Sequence, residues 1–426
     1  MKKNGFGMFP PQAGKTYNIT VIGGGVSGAV STLELSRAGH RVTLVEGKTL
    51  GSGSSQRSAA CIRQQFSNPS TVRGMRFCVE YFKLWKEIFG EDKQSPITQS
   101  GYLFLKGWEQ NMGSVANLVE MQKQSGLDDV ELLMPEQINE RFPYLDTTGV
   151  KFATWCPSDG FLSPVTIYQD SAEAARNLGA DIIQNDAVVS AEHDSVGISC
   201  VVLESGRKIK SDVVVNTAGA WGAEVSQRLG GATLQISPLK RYLYFAVLKS
   251  EGRLISQDYF DALPMVITPY GSYIRRESPG TPGLMLGKLH HTDPIVPSYE
   301  FQDVIEAGMG IHGLNDYGFS VHREIGQFFM DVQEASLRSV SSGMYADTPD
   351  LNPIISFDTQ VKNLIHAVGF SGHGLMHSPF TARIVTQMVE AMSNIEQVVL
   401  PESFGKADVR PYYLERDYSS KEDLVI

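Results

Sequence analysis

Cysteine is scarce in this chain of 426 residues. The 4 that occur, Cys61, Cys78, Cys156 and Cys200, lie far apart with no C-x-x-C pair, so neither a disulfide framework nor a cysteine-based zinc site is indicated. A reducing compartment, the cytoplasm, is the expected setting. Long hydrophobic runs are also missing: no stretch reaches the roughly 18 uninterrupted apolar residues of a membrane span, so no transmembrane segment is expected. The N-terminus, MKKNGFGMFPPQAGKTYN, is basic but lacks the apolar core of an export signal, and residues 1–16 read as a frayed leader. Excess positive charge is absent too. Lys+Arg total 37 against 47 Asp+Glu, a formal charge of -10, which argues against nucleic acid and anionic lipid as partners. What remains is ordinary for a folded protein, with 42% hydrophobic and 20% charged residues, no repeat, and length for two or three domains.

The first clear element is the β-branched run Asn18 to Ile22 (NITVI), which reads as a buried parallel strand and leads directly into GGGVSGAVSTLELSRAGH. Val26, Val30, Leu33 and Leu35 mark a packed helix that Gly39 ends. RVTLV (41–45) is then a second strand closing at Glu46. Within this βαβ unit stands Gly23-x-Gly25-x-x-Gly28, whose glycines suit a tight turn, a close backbone approach to a pyrophosphate and a helix packed tightly on its strand. The helix start, with Val26 and Ser27, offers N–H groups to phosphate, and Glu46 stands where a ribose hydroxyl pair would be held. The pattern predicts dinucleotide binding. FAD and NAD both carry that ribose, so the acid alone does not choose between them.

Further along, Met75, Cys78, Val79, Phe82, Trp85 and Phe89 recur at helical spacing over 70–89, a buried stripe. Strand-like runs such as ITQSGYLFLKG, RYLYFAVLKS, MVITPYGSYIRRE and GLMLGKL, broken by Gly, Pro and Ser, suggest a largely antiparallel sheet. The chain therefore reads as α/β with two interwoven parts. A Rossmann-like FAD-binding domain is expected from 17–96, 151–231 and 335–415, and a substrate domain on a mixed, largely antiparallel sheet from 97–150 and 232–334, with 1–16 and 416–426 as tails, the acidic last stretch a solvated end. His290 and His291 adjoin but lack a third ligand within local spacing, so no metal is expected.

Three later stretches favour FAD over NAD: the small-residue loop GKTLGSGSSQRSAACIRQQF after Glu46, the strand-end VVVNTAGAW (213–221), and the glycine-rich HAVGFSGHGLMHSP (366–379). Together with DGFLSP and GMYADTPD (343–350), they resemble the D-amino-acid-oxidase-like superfamily of FAD-dependent oxidoreductases, in its sarcosine oxidase and dimethylglycine dehydrogenase branch. SAACIRQQFSNPSTVR is most similar to a subgroup that includes a mitochondrial respiratory-complex assembly flavoprotein. The resemblance covers nearly the whole chain. It implies an FAD site at Gly23, Gly25, Val26, Ser27, Gly28 and Glu46, with Ser54, Ser55, Arg57 and Ser58 along the pyrophosphate and flavin. By the same resemblance Val188 meets adenine, Ala218 and Gly219 form a small turn near the cofactor, and Gly372, His373, Gly374, Leu375 and Met376 run along the pyrimidine edge of the flavin. Arg63 matches the arginine that holds the substrate carboxylate, a task suited to a guanidinium fork; its alternative is a structural carboxylate partner. Tyr273, Arg275 and Glu277 share one face of a strand, either over the flavin or on a solvated surface. His373 is the remaining candidate for a catalytic role.

Departures from the family pattern matter as much. Gly343 stands where related sarcosine oxidases carry the cysteine that tethers flavin, so FAD is expected to be non-covalent. Met376 and Met285 replace lysines, one assisting carboxylate binding and the other promoting reaction of reduced flavin with oxygen. Lys288, three residues past Met285, falls on the opposite strand face. The expected activity is oxidation of a secondary or tertiary amine or amino acid, N-alkylated glycine-like or cyclic, to an imine by hydride transfer to flavin N5. A dehydrogenase delivering electrons to an acceptor protein or quinone is favoured over an oxidase. The alternatives are an FAD-dependent 2-hydroxy-acid dehydrogenase and a non-catalytic flavoprotein acting as an assembly or interaction factor.

Overall fold

The run Asn18–Ile22 forms a strand whose alternate residues are buried on both faces, as the near-continuous β-branched sequence requires. In the computed structural model, which describes residues 15–248, 255–278, 281–288, 316–422 and 424, this strand lies in a six-stranded sheet. The order is Ile354–Phe357, Leu364–Val368, Val213–Asn216, Asn18–Ile22, Arg41–Glu46 and Asp181–Gln184, parallel throughout except for the first pair. One face is covered by helices: Val26–Arg37 packs against Pro164–Asn177 and Gly374–Ala391, and Gly374–Ala391 against Pro69–Lys83. The other face meets a small antiparallel sheet of Val188–His193, Ile198–Leu203 and Lys208–Lys210 through Val45, Val188, Val201 and Val214.

The stripe over 70–89 is two helices rather than one, Pro69–Lys83 and Trp85–Phe89. The first begins as its sequence dictates, with the Asn68 side chain accepting from the Ser70 N–H and proline at the first position, where no donor is needed. Beyond the break at Leu84, Trp85 stacks on Phe89 and donates Nε1 to Asp170 at 2.8 Å.

The second large sheet has eight strands in the order Ser336–Asp347, Ser237–Val247, Gly283–Lys288, Ser272–Arg276, Met265–Ile267, Tyr102–Lys106, Phe152–Cys156 and Glu131–Leu133. Only Met265–Ile267 and Tyr102–Lys106 pair in parallel, so the sheet is mixed and largely antiparallel, as the sequence suggested. Two of its strands, Phe152–Cys156 and Ser336–Asp347, lie beyond the boundaries read from sequence at 150/151 and 334/335, because hydrogen bonding carries each into this sheet. Its alternating pattern separates two faces. Val266, Ile274, Leu284 and Leu286 pack with Val321, Ile325 and Phe329 of the helical side. Tyr102, Leu243, Met265, Tyr273 and Met285 form a separate cluster on the opposite face, toward the six-stranded sheet.

The C-terminal stretch corrects another expectation. Residues 416–422 do not trail into solvent: Arg416 makes a two-pronged bridge to Asp350 at 2.7 Å with both side chains buried, and Glu422 is 3% exposed. A carboxylate buried as deeply as Asp350 needs such a partner, and the tail supplies it. His290 and His291 lie outside the described residues. No helix among the described residues is long and apolar enough to cross a membrane, and no group of three or more His, Cys, Asp or Glu there is arranged to hold a metal ion.

Candidate active site

A cavity of about 580 Å³ runs from the carboxyl ends of the parallel strands to the inner face of the eight-stranded sheet. At one end the turn after Asn18–Ile22 is so tight that a Cβ on Gly28 would fall 1.9 Å from the Gly23 carbonyl oxygen, so only glycine lets the helix sit there. Gly25 caps Val26–Arg37 without a side-chain bond. The helix therefore opens toward the cavity with its N-terminal N–H groups and partial positive charge, that of Val26 donating to Ser55 Oγ at 3.1 Å. Glu46 closes Arg41–Glu46 and accepts from the N–H groups of Gly24 at 2.7 Å and Lys48 at 2.8 Å. Its carboxylate is thereby fixed, and each oxygen keeps a lone pair for a hydroxyl.

The cavity wall then follows the short helix Ser54–Arg57, tied across to the eight-stranded sheet by Ser54 Oγ donating to the Met344 carbonyl at 2.8 Å and Arg57 donating to that of Ser342 at 3.3 Å. Here two backbones meet. A Cβ on Gly343 would sit 2.6 Å from the Arg57 carbonyl oxygen, so the tether position is not merely without a thiol but too tight for a cysteine side chain unless the backbone shifts.

Of the residues singled out from sequence, the structure gathers Gly23, Gly25, Val26, Ser27, Glu46, Ser54, Ser55, Arg57, Ser58, Val188, Ala218, Gly219, Tyr273, Gly372, Gly374 and Leu375 around this cavity. Gly28 lies behind it, in the contact just described. Arg63, His373 and Met376 instead line a second, smaller cavity of about 40 Å³ that shares Ser58, Ala59, Tyr273, Tyr345, Gly372 and Leu375 with the first. Arg275 borders neither. It is on the cavity-facing side of its strand, as Tyr273 is, but lies buried against Phe161 with Nε donating to the Ala59 carbonyl at 2.7 Å, and so holds the chain between the two cavities. Glu277 bridges to Arg338.

Arg63 is 1% exposed, lies 3.8 Å from the centre of the Phe66 ring, and donates to the carbonyls of Gln65 and Leu424. No carboxylate among the described residues forms a salt bridge with it, and burial lowers its pKa against the pull of Tyr102, Glu422 and Asp159. His373 donates Nε2–H to the Leu351 carbonyl at 3.1 Å, and the single Nδ1–H of His377 points to the His373 carbonyl at 3.0 Å, with His373 Nδ1 beside it at 3.2 Å. Both imidazoles are neutral: burial, His377 and Arg63 hold His373 well below its ordinary value, and burial takes His377 down to about 4. With Nε2 of His373 committed to Leu351 and Nδ1 turned to His377, an acid–base role for it finds no support in this geometry.

Sequence reasoning missed Tyr102, Cys61 and Met265 in the small cavity, and Arg241, Trp221 and Tyr345 in the large one. For Tyr345 a signal existed, since it lies two positions from Gly343 and so shares its strand face. Tyr345 packs across Gly372, and Arg241 lies over its ring at 5.5 Å.

Residues 18–388 match the family model described as "FAD dependent oxidoreductase", DAO. The chain belongs to the DAO family. FAD is its cofactor, and the cavity fits it: a fixed acid and a helix N-terminus at one end, small residues between, and aromatic walls at the other. The chain is 27% identical over 414 residues to "FAD-dependent oxidoreductase domain-containing protein 1" of Bos taurus, covering 87% of this chain and 81% of that one. It is 25% identical over 378 residues to monomeric sarcosine oxidase of Arthrobacter sp. (strain TE1826), covering 88% and 92%. Among solved structures, L-proline dehydrogenase from P. horikoshii superposes with a TM-score of 0.77 at 27% identity over 89% of this chain and 95% of its own. Glycine oxidase from Geobacillus kaustophilus, at 21% identity and TM-score 0.74 over 94% and 99%, shares the fold.

Proposed function

We propose that this DAO-family protein oxidises a small amine or amino acid bearing a carboxylate, N-alkylated glycine-like or cyclic, to its imine, as a dehydrogenase. The observation that carries this reading is Arg63: a buried cation with no carboxylate partner among the described residues, in a small cavity that opens onto the FAD cavity. Burying a charge is costly unless something pairs with it, and a substrate carboxylate is the partner this site lacks. The small volume favours a compact substrate, and the names of the relatives, sarcosine oxidase and L-proline dehydrogenase, point to the same class.

Bound FAD supplies the two-electron acceptor. Gly23, Gly25, Val26, Ser27 and Glu46 would hold its adenosine and pyrophosphate, Ser54, Ser55, Arg57 and Ser58 the stretch beyond, and Gly372, Gly374 and Leu375 the flavin edge, without a covalent bond at Gly343. Arg63 would fix the carboxylate bidentately and so set the α-carbon. Tyr102, Tyr273, Tyr345 and Met265 wall the small cavity and exclude water while the amine is oxidised. The neutral His373 and His377 leave Arg63 as the cation at that end. Met285 lies on the same apolar face as Leu243 and Tyr273, so no ammonium stands at that position to stabilise superoxide, which supports an acceptor protein or quinone over oxygen.

The test is anaerobic. N-methylglycine, proline and matching 2-hydroxy acids are added to the FAD-loaded protein while its visible absorbance is followed. Bleaching by an amino acid that reverses slowly in air is expected. Bleaching by hydroxy acids alone overturns the amine reading, and fast reoxidation overturns the dehydrogenase.

A further inference from the structure

Arg63 can anchor a carboxylate only if something other than a direct ion pair keeps its guanidinium in place. We propose, building on the reading of Arg63 above, that Asp159 and Glu422 are positioning residues that orient it through two backbone carbonyls, which makes the C-terminal segment part of the substrate site.

The two carbonyls are those of Gln65 and Leu424. A carbonyl orients a guanidinium only as well as the residue that carries it is held, and each of these residues hydrogen-bonds to a buried carboxylate. Asp159, fully buried, accepts at Oδ1 from the Gln64 N–H (2.8 Å) and side chain (3.0 Å), and at Oδ2 from the Gln65 side chain (3.2 Å). Glu422 Oε1 accepts from the N–H groups of Ser67 (2.9 Å) and Leu424 (3.2 Å). The Glu422 N–H in turn donates to the Asp350 carbonyl at 3.0 Å, and Asp350 is locked by Arg416. Residues 63–67 on one side and Glu422 with Leu424 on the other thus form two arms, with the guanidinium between them and the Phe66 ring against its face.

Neither carboxylate touches Arg63, yet both attract its charge. Direct contact would satisfy the cation and compete with substrate. Placed one residue back, the two acids offset the cost of burying it and leave its remaining donors for a ligand.

The full-length, FAD-loaded protein is titrated with acetate at about pH 8.5, above the value of about 7 to which burial pushes Asp159, and binding is read from the shift in flavin absorbance. Glu422→Ala removes one arm. Asp159→Asn puts an amide nitrogen against one of the donors, Gln64 or Gln65. Each variant is expected to raise the acetate Kd about tenfold or more and the substrate KM with it, while kcat stays within about twofold. Glu422→Gln, whose amide oxygen still accepts from Ser67 and Leu424, is expected to restore binding. By charge alone, loss of an acid near Arg63 would tighten anion binding, so weakening is the mark of lost orientation. Unchanged or tighter binding in Glu422→Ala and Asp159→Asn overturns the proposal, and if one variant fails to fold the other decides. Arg63→Ala separates the two levels. If it binds acetate as the parent does, the carboxylate reading fails and takes this proposal with it. If it alone loses binding, that reading stands and the positioning role does not.

Discussion

The two ends of the FAD cavity are built in different ways. The end proposed for adenosine is built chiefly on one continuous stretch, residues 18–46, in which backbone N–H groups and one acid face the cavity and glycines make room for it, with Val188 beside them. The end proposed for substrate is gathered from Cys61 and Arg63, Tyr102, Met265, Tyr273, Tyr345 and His373, far apart in sequence and brought together by three sheets and the C-terminal segment. Backbone recognition needs a fixed local conformation, which leaves a spacing in the sequence. Recognition by assembled side chains depends on tertiary pairing and leaves none.

The contrast can be broken most severely at Gly28. A Gly28→Val substitution forces heavy atoms into the space held by the Gly23 carbonyl, and FAD content, read from the ratio of visible to ultraviolet absorbance, is expected to fall nearly to zero. Protein that retains full flavin would show that the local turn is not what holds the cofactor. At the other end, Arg63→Ala should leave FAD content intact and lower kcat/KM for a carboxylate substrate by about 100-fold or more, the loss expected for a buried, hydrogen-bonded charge pair. Steady-state kinetics beside a flavin spectrum checks both halves.

Smaller effects sharpen the comparison further. Met285→Lys places an ammonium on the face shared with Tyr273, and stopped-flow mixing of reduced enzyme with oxygen should show reoxidation faster by about tenfold. An unchanged rate would remove the argument for a dehydrogenase drawn from that position. Asp159 is subtler still. Burial raises its pKa from 3.8 to about 7, so the folded protein keeps a proton that the unfolded chain has released. Its contribution to stability is full below pH 3.8 and is lost as pH rises through about 7. Asp159→Asn should therefore flatten the decline of Tm across that window, as calorimetry at several pH values would record.

How much was legible follows the same division. The strand Asn18–Ile22, its helix, Glu46 and the mixed sheet could be read because periodicity and glycine spacing report local conformation. The sharing of one strand face by Tyr273 and Arg275 could be read too, but not which face turned to the cavity, since that depends on Leu284 and Leu286 burying the other side against helices. Strands Phe152–Cys156 and Ser336–Asp347 crossed the expected boundaries because pairing partners are chosen by register across the sheet. The tail read as solvated because its charge is obvious, whereas its partners, the buried Asp350 and the half-buried Ser67, are distant in sequence.

The central claim is that a carboxylate anchored at Arg63 places the substrate beside FAD. It is tested most directly by comparing anaerobic flavin reduction by proline, or whichever amino acid proves reactive, with reduction by its methyl ester. The account predicts rapid bleaching by the free acid and a rate lower by about 100-fold or more for the ester, which offers Arg63 no charge. Equal bleaching by the two would contradict it.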